Sequence, residues 1–203
     1  MECRKRLTVP AFFFFTFLCL WQPLAAQTYI PDAKNAVIRF KIFIEKQKGT
    51  TIQGFVKGLQ GKIEFSTDNP ENGSFDMTVQ AASVKTGDNT GDIRIKTSPY
   101  LFVKNFPKIK LKSTGIKRIS KTAPIFEMAA DLTIKEYTKK VKLLFTTEKT
   151  GENKMLFRGA LEFNRTDFDL GDRSEMENTV TVYLEVPATI QPPKKIVVSA
   201  KKK

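Results

Sequence analysis

The sequence predicts a mainly β protein, either an antiparallel barrel or a sandwich, on two observations. Apolar and polar residues alternate through eight segments, most of them separated by short turns, as they do along half-buried antiparallel strands. Gly54, Gly58 and Gly61 interrupt the second segment, and glycines inside a strand are typical of the bends that a closed barrel needs. If the sheet closes, eight strands enclose a space wide enough for side chains or for one slender ligand.

The alternation assigns an inward-facing apolar stripe to each strand. In chain order the stripes are Ile38, Phe40, Ile42 and Ile44; Ile63 and Phe65; Phe75, Met77, Val79 and Ala81; Ile109 and Leu111; Phe126, Met128, Ala130, Leu132 and Ile134; Val141, Leu143 and Phe145; Phe157, Gly159, Leu161 and Phe163; and Val180, Val182, Leu184 and Val186. Such stripes ordinarily form a packed core, so composition alone favours a filled interior over a ligand cavity.

One long interruption, residues 83–113, separates the third and fourth strands. A polar turn at residues 87–92 leads into residues 92–96, for which we predict a short helical turn. An apolar cluster without a strand period then follows, made of Tyr100, Leu101, Phe102 and Phe106. Because such a cluster must be buried against something, we expect this insertion to cap or gate one mouth of the β structure.

Residues 1–26 are typical of a secretory signal. Three basic residues precede an apolar run that is shorter than a membrane span and ends in small residues; a retained membrane anchor is the alternative. Cleavage would remove both cysteines, Cys3 and Cys19, leaving a β domain over residues 27–191 and a Lys-rich disordered tail over residues 192–203. An exported chain without cysteine suits a periplasmic or secreted bacterial protein.

The residue types restrict the chemistry that the chain can perform. It has no histidine, and without the two cysteines the usual acid–base, nucleophile and metal-binding sets are lacking. A hydrolase of lipid-like substrates would need an activated nucleophile that the sequence does not display. The acidic cluster between Asp167 and Glu177 lacks the spacing of a calcium loop and is better explained as a solvated hairpin tip. We therefore expect no enzyme activity, no metal and no cofactor.

The chain is strongly basic, with a formal net charge of +13. Residues 1–26 carry three basic residues and one acidic residue, so their removal leaves +11. This charge favours anionic partners, among them an anionic membrane surface. Export and the lack of a stacking-aromatic motif argue against nucleic acid as a partner. A homodimer is left open, and the simplest interpretation of lysines on the strand faces is a solvated outer wall.

Several sequence pieces, taken in order, resemble one family. The pieces are Gly54-Phe55, residues 61–65, residues 82–87, residues 100–113 with Phe106-Pro107, residues 131–134 and residues 164–168. Together they resemble the YceI-like, or polyisoprenoid-binding, family over roughly residues 33–190. The resemblance implies an eight-stranded antiparallel lipocalin-like barrel with a short helical or loop insertion between the third and fourth strands. It also implies a hydrophobic tunnel for a long isoprenoid or another amphiphile. Where the family often has a histidine, this chain has Arg94, and the arginine that usually precedes it is lost.

Two functions follow from these observations. The resemblance favours an exported carrier that holds a long apolar or amphiphilic ligand, such as an isoprenoid lipid, a quinone or a fatty-acid-like molecule. The alternative is a surface or interaction module with a filled barrel, whose basic wall binds anionic polymers or membranes. The ligand-binding residues expected for the carrier are Phe40, Ile42, Phe55, Phe75, Met77, Val79, Arg94, Tyr100, Phe102, Phe106, Phe126, Met128, Phe163 and Arg165. Either arginine could meet a phosphate or quinone oxygen at the mouth, and Arg165 could instead be a structural ion-pair partner.

Overall fold

A computed structural model describes residues 26–44, 50–171 and 176–191 of the chain. The strands in these residues are β1 Gln27–Pro31, β2 Val37–Ile44, β3 Thr51–Val56, β4 Gln60–Phe65, β5 Ser74–Gln80, β6 Lys108–Arg118, β7 Ile125–Ile134, β8 Tyr137–Gly151, β9 Lys154–Asn164 and β10 Met176–Ile190, with the helix α1 Asn89–Lys96 between β5 and β6. The predicted signal, apart from its last residue, and the predicted Lys-rich tail lie outside the described residues. Among the residues that are described, no helix is long and apolar enough to cross a membrane.

The sheet closes on itself as an eight-stranded antiparallel barrel. The ring order is β1, β4, β5, β6, β7, β8, β9 and β10, and β10 pairs again with β1 through Tyr29 and Ile190. The predicted fold, a lipocalin-like antiparallel barrel with an insertion after the third of its eight strands, is confirmed.

Ten strands fill eight barrel positions because two positions are each occupied by two short strands. β1 and β2 lie end to end along β10, and β3 and β4 lie end to end beside them. The break between β3 and β4 falls at Gly58, whose φ of 73° is a conformation that glycine adopts readily. Gly61, with φ of 141°, lies so close to the Asp76 backbone that a side chain would collide with it. Of the three glycines that predicted bends in the second strand, Gly58 therefore lies at the break, whereas Gly54 lies within β3 and Gly61 within β4.

The helix α1 begins three residues earlier than the predicted helical turn. Asp88 caps it, because the Asp88 carboxylate accepts a hydrogen bond of 2.6 Å from the Gly91 backbone N–H. The base of the insertion is closed by a 2.8 Å hydrogen bond from the Ala81 N–H to the Pro107 carbonyl. We refer to residues 84–107 as the lid, and to the end of the barrel where β5 ends and β6 begins as the lid end.

The interior of the barrel is filled at the end away from the lid. Phe65 and Phe126 are fully buried, with ring centroids 5.1 Å apart and rings nearly perpendicular. Phe65 also makes edge-on contacts with Phe75, Phe145 and Phe157 at centroid distances of 6.1, 5.6 and 5.8 Å. Burial of large aromatic rings in mutually edge-on packing supplies much of a core's stability. We refer to this aromatic region as the packed half and to the remainder, towards the lid, as the hollow half.

The outer wall carries a cross-strand row in which charges alternate. Lys62, Asp76, Lys112, Asp131 and Lys140 lie directly opposite one another from β4 to β8. The Lys140 Nζ lies 3.6 Å from the Asp131 Oδ1. Opposite charges on neighbouring strands attract, so this part of the wall is a ladder of both signs rather than an uninterrupted basic face.

Candidate functional site

An apolar cavity of about 680 Å³ occupies the hollow half. Inward residues from most strands line it, as the strand alternation predicts. Representative lining residues are Ile42, Met77, Val79, Leu132, Leu161 and Val182. The volume falls within the range of about 300–1,000 Å³ that is usual for small-molecule sites.

Three phenylalanine rings form the floor of the cavity. The rings of Phe75, Phe145 and Phe157 all border the cavity, and their centroids are 5.4, 5.6 and 6.4 Å apart. Phe65 packs behind all three and does not border the cavity. The cavity therefore stops where the packed half begins.

The lid forms the roof. Leu101 is buried against the cavity, and its backbone N–H donates a 3.0 Å hydrogen bond to the Ile95 carbonyl, which joins the chain after α1 back to the helix. Tyr100 also borders the cavity, and the Arg94 guanidinium carbon lies 5.4 Å from the centroid of its ring. Arg94 and Asp88 are exposed residues of the lining, and both lie at the lid end.

A buried carboxylate fastens the lid to the barrel. Asp92 in α1 is 7% exposed; its Oδ2 lies 2.8 Å from the Lys85 Nζ, and its Oδ1 accepts a 2.6 Å hydrogen bond from the Thr86 N–H. The Lys85 ammonium and the Thr86 amide lower the pKa of Asp92 from its ordinary value of 3.8 to about 2. Lys85 is in turn bridged to Phe55 of β3 by two backbone hydrogen bonds of 2.9 Å. We refer to Lys85, Thr86 and Asp92 as the latch.

Arg165 borders the cavity but its guanidinium serves the backbone. The side chain is 2% exposed, and its N–H groups donate to the carbonyls of Leu170, Met176 and Glu177 at 2.9, 2.9 and 3.0 Å. These carbonyls flank the connection between β9 and β10, so Arg165 holds its two ends together. Arg165 therefore stabilises the structure through hydrogen bonds to backbone carbonyls. Within the described residues it does not form the ion pair that was the predicted alternative.

Most of the predicted ligand-binding residues are brought together by the fold. The ten that line the cavity are Phe40, Ile42, Phe75, Met77, Val79, Arg94, Tyr100, Met128, Phe163 and Arg165. The four that do not line it are Phe55, Phe102, Phe106 and Phe126. Whether any of them contacts a ligand stays a prediction.

Each of the four exceptions has a local reason. Phe55 is 38% exposed on the outer face of β3, because the neighbouring Val56 faces inward. Phe126 stacks behind Phe145 at a centroid distance of 5.2 Å, so Phe145 stands between it and the cavity. Phe102 and Phe106 pack edge-on against each other at 6.2 Å within the lid.

Sequence reasoning also missed parts of the lining. Val182, Leu184 and Leu161 line the cavity but are not among the expected ligand-binding residues, although the same alternation assigns them inward-facing positions. Ile95 and the latch carried no such signal, because their positions depend on how the lid folds back onto β3.

The site is suited to burying an apolar chain. Each methylene group moved from water into such a cavity stabilises the complex by about 0.8 kcal/mol.

Within the described residues, no group of three or more Asp, Glu, Cys or His side chains is placed to hold a metal ion.

A closed antiparallel barrel around an apolar cavity places the chain in the lipocalin-like class of β-barrels. The chain belongs to the YceI-like domain family, whose family model matches residues 29–188.

Comparisons with individual proteins agree with this assignment. A "UPF0312 protein" of Ectopseudomonas mendocina (strain ymp) is 26% identical over 174 residues, covering 81% of this chain and 88% of the relative. The crystal structure of Burkholderia cenocepacia BcnA is similar with a TM-score of 0.71 and 22% identity, covering 78% of this chain and 99% of BcnA. A polyisoprenoid binding domain from Saccharophagus degradans, implicated in plant cell wall breakdown, has a TM-score of 0.63 and 13% identity, covering 81% of this chain and 99% of that domain. At these identities the two structural likenesses show a shared fold.

Proposed function

We propose that this chain is an exported binding protein that holds the tail of a long apolar or amphiphilic molecule in the cavity and performs no catalysis. The observation that carries the proposal is the 680 Å³ apolar cavity that ends at the packed half. The relatedness to YceI-like proteins supports a binding role over an enzymatic one. An isoprenoid lipid, a quinone or a fatty-acid-like molecule would fit, and the polyisoprenoid binding domain among the structural neighbours favours the first of these. The signal-like residues 1–26 support export.

The cavity counts against the alternative function. A surface module with a filled barrel requires inward side chains that meet across the whole interior, whereas those of the hollow half leave about 680 Å³ between them. The alternating row on the outer wall likewise gives an anionic polymer no continuous basic face from β4 to β8. Binding to an anionic membrane surface and homodimerisation stay predictions.

The polar end of the ligand would lie at the lid end, beside Arg94. Arg94 is exposed at the rim of the cavity and rests on the Tyr100 ring. The Arg165 guanidinium is already engaged by backbone carbonyls, so fewer of its N–H groups can meet a ligand. We therefore assign the contact with a phosphate or carbonyl oxygen to Arg94.

A pair of neighbouring substitutions on β10 tests the proposal. Val182→Trp places a large side chain in the cavity, whereas Tyr183→Trp changes the next residue, which is 52% exposed on the outer wall. In a titration with a fluorescent fatty acid, we expect the Val182 variant to bind at least about tenfold more weakly and the Tyr183 variant to bind like the unmodified protein. Equal binding by all three proteins would show that the ligand lies outside the cavity. Lipid extraction and mass spectrometry of the gently purified protein should find a bound amphiphile.

The same titration tests the role of Arg94 when it is run with farnesol and farnesyl phosphate. Arg94→Gln should weaken binding of the phosphate by about tenfold or more and change binding of the alcohol far less, because only the phosphate carries a negative charge that pairs with the guanidinium. An equal loss for both ligands would assign Arg94 a role in lid structure instead.

A further inference from the structure

The cavity is blind at its inner end. Behind the three floor rings, Phe65 and Phe126 are fully buried and Tyr29 is 3% exposed, and none of these three residues borders the cavity. Tyr29 packs edge-on against Phe157 at 5.7 Å, which supports the floor from below. An apolar chain that enters from the lid end would therefore meet interlocked aromatic rings before it could cross the barrel.

The volume converts into a chain length. In the liquid state a water molecule occupies about 30 Å³, and a methylene group has a similar size. The cavity of about 680 Å³ thus accommodates about 20 carbon groups, which corresponds to about four isoprene units. A chain twice as long would leave half of its length outside the barrel.

We propose that Phe75, Phe145 and Phe157 form a ruler that stops the apolar chain of a ligand at the inner end of the cavity and limits its buried length to about 20 carbon groups. The inference rests on the proposed function and adds the size class of the ligand and the residues that set it. The rings can act in this way because each is held by others of the cluster: Phe145 alone has four ring neighbours between 5.2 and 6.4 Å. Side chains in such dense packing have no adjacent space into which a ligand could push them.

A length series on the unmodified protein is the first test. Prenyl alcohols of two, three, four and eight isoprene units are titrated in competition with a bound fluorescent fatty acid. Affinity should rise by at least about tenfold for each unit up to four and should not rise further for eight units. A continued rise to eight units would overturn the ruler while leaving the proposed function intact. If no alcohol or fatty acid bound at any length, the proposed function itself would be wrong.

Two neighbouring substitutions on β8 provide the matched comparison. Phe145→Ala removes a ring from the floor, whereas Leu144→Ala changes the preceding residue, which is 50% exposed on the outer wall and does not border the cavity. A large-to-small change in a core opens up to about 150 Å³, or room for about five carbon groups. The Phe145 variant should therefore shift the preferred length upwards by about one isoprene unit, and the Leu144 variant should keep the original preference.

The stability of both variants is measured alongside binding, because Phe145→Ala removes a buried ring of the packed cluster. Should Phe145→Ala not fold, Phe157→Leu and Phe145→Leu enlarge the floor less and are expected to shift the preference in the same direction. Length profiles that are the same for the floor variants, the Leu144 variant and the unmodified protein would overturn the ruler.

Discussion

The two halves of the barrel are built by the same strand alternation but reach opposite outcomes. In the packed half, inward positions carry aromatic rings from several strands at one level, and Phe65 contacts four of them. In the hollow half, inward positions carry mainly Ile, Val, Leu and Met, and Phe163 has one ring neighbour among the described residues, Phe168, at 5.3 Å. Alternation decides which side chains point inward, and the side-chain volume at each level of the barrel decides whether they meet.

The largest expected effect is on the free energy of unfolding, and it compares the same substitution, Phe to Ala, in the packed half and in the hollow half. Phe65→Ala should lower the free energy of unfolding by about 3–5 kcal/mol, because its ring is enclosed on all sides and leaves a new void. Phe163→Ala should cost only about 1–2 kcal/mol, because its ring already borders a cavity. Urea denaturation of both variants provides the measurement. Equal losses would mean that the hollow half is as tightly packed as the other.

This comparison also shows how far the sequence could be interpreted. The antiparallel β fold, its eight strand positions and the break at Gly58 follow from alternation and glycine placement, both of which are local properties. The choice of a barrel over a sandwich rests on the family resemblance. The boundary of the cavity does not. Phe126 and Met128 face the same way on β7, yet only Met128 borders the cavity, because Phe145 from β8 covers Phe126. Whether an inward side chain borders the cavity depends on the volumes of residues on neighbouring strands, and the alternation pattern of one strand does not give this information.

The lid likewise contains contacts that the sequence pattern does not predict. Tyr100 and Phe106 belong to one apolar cluster in the sequence, and the structure separates them. Tyr100 borders the cavity and packs so closely on Gly171 that a side chain there would collide with its ring, whereas Phe106 packs on Phe102 and does not reach the cavity. Likewise Asp92 gave no sequence signal for its contact with Lys85, because the lid must fold back before the two meet.

A second prediction uses this separation. Tyr100→Ala should accelerate release of a bound fluorescent fatty acid several-fold while lowering the free energy of unfolding by less than about 2 kcal/mol, because it removes part of the roof. Phe106→Ala should leave the release rate nearly unchanged, since its ring stabilises the lid without covering the ligand. Stopped-flow displacement measures the rates. The reverse ranking would place the exit of the ligand on the Phe106 side of the lid.

The smallest expected effect concerns the latch and depends on pH. The pKa of Asp92 is about 2 in the folded protein, below its ordinary value of 3.8, because of the Lys85 ammonium and the Thr86 amide. The latch therefore contributes its full stabilisation above about pH 4, and this contribution is lost as the pH falls through about 2. The protection factors of the α1 amides, which are corrected for the intrinsic pH dependence of exchange, should fall over that interval before those of the barrel strands are affected.

Two carboxylate variants isolate this effect from general acid unfolding. Asp92→Asn should show lower α1 protection factors at neutral pH and lose most of their pH dependence between about pH 4 and 2, since the side chain no longer titrates. Glu127→Gln removes another carboxylate whose pKa is lowered, by Lys117 on the barrel wall, and should leave exchange in α1 unchanged. If the lid opens with the same pH profile in the Asp92 variant as in the unmodified protein, the latch is not what fastens it. In that case the hollow half is closed mainly by the apolar contacts of Leu101 and Tyr100 with the cavity wall.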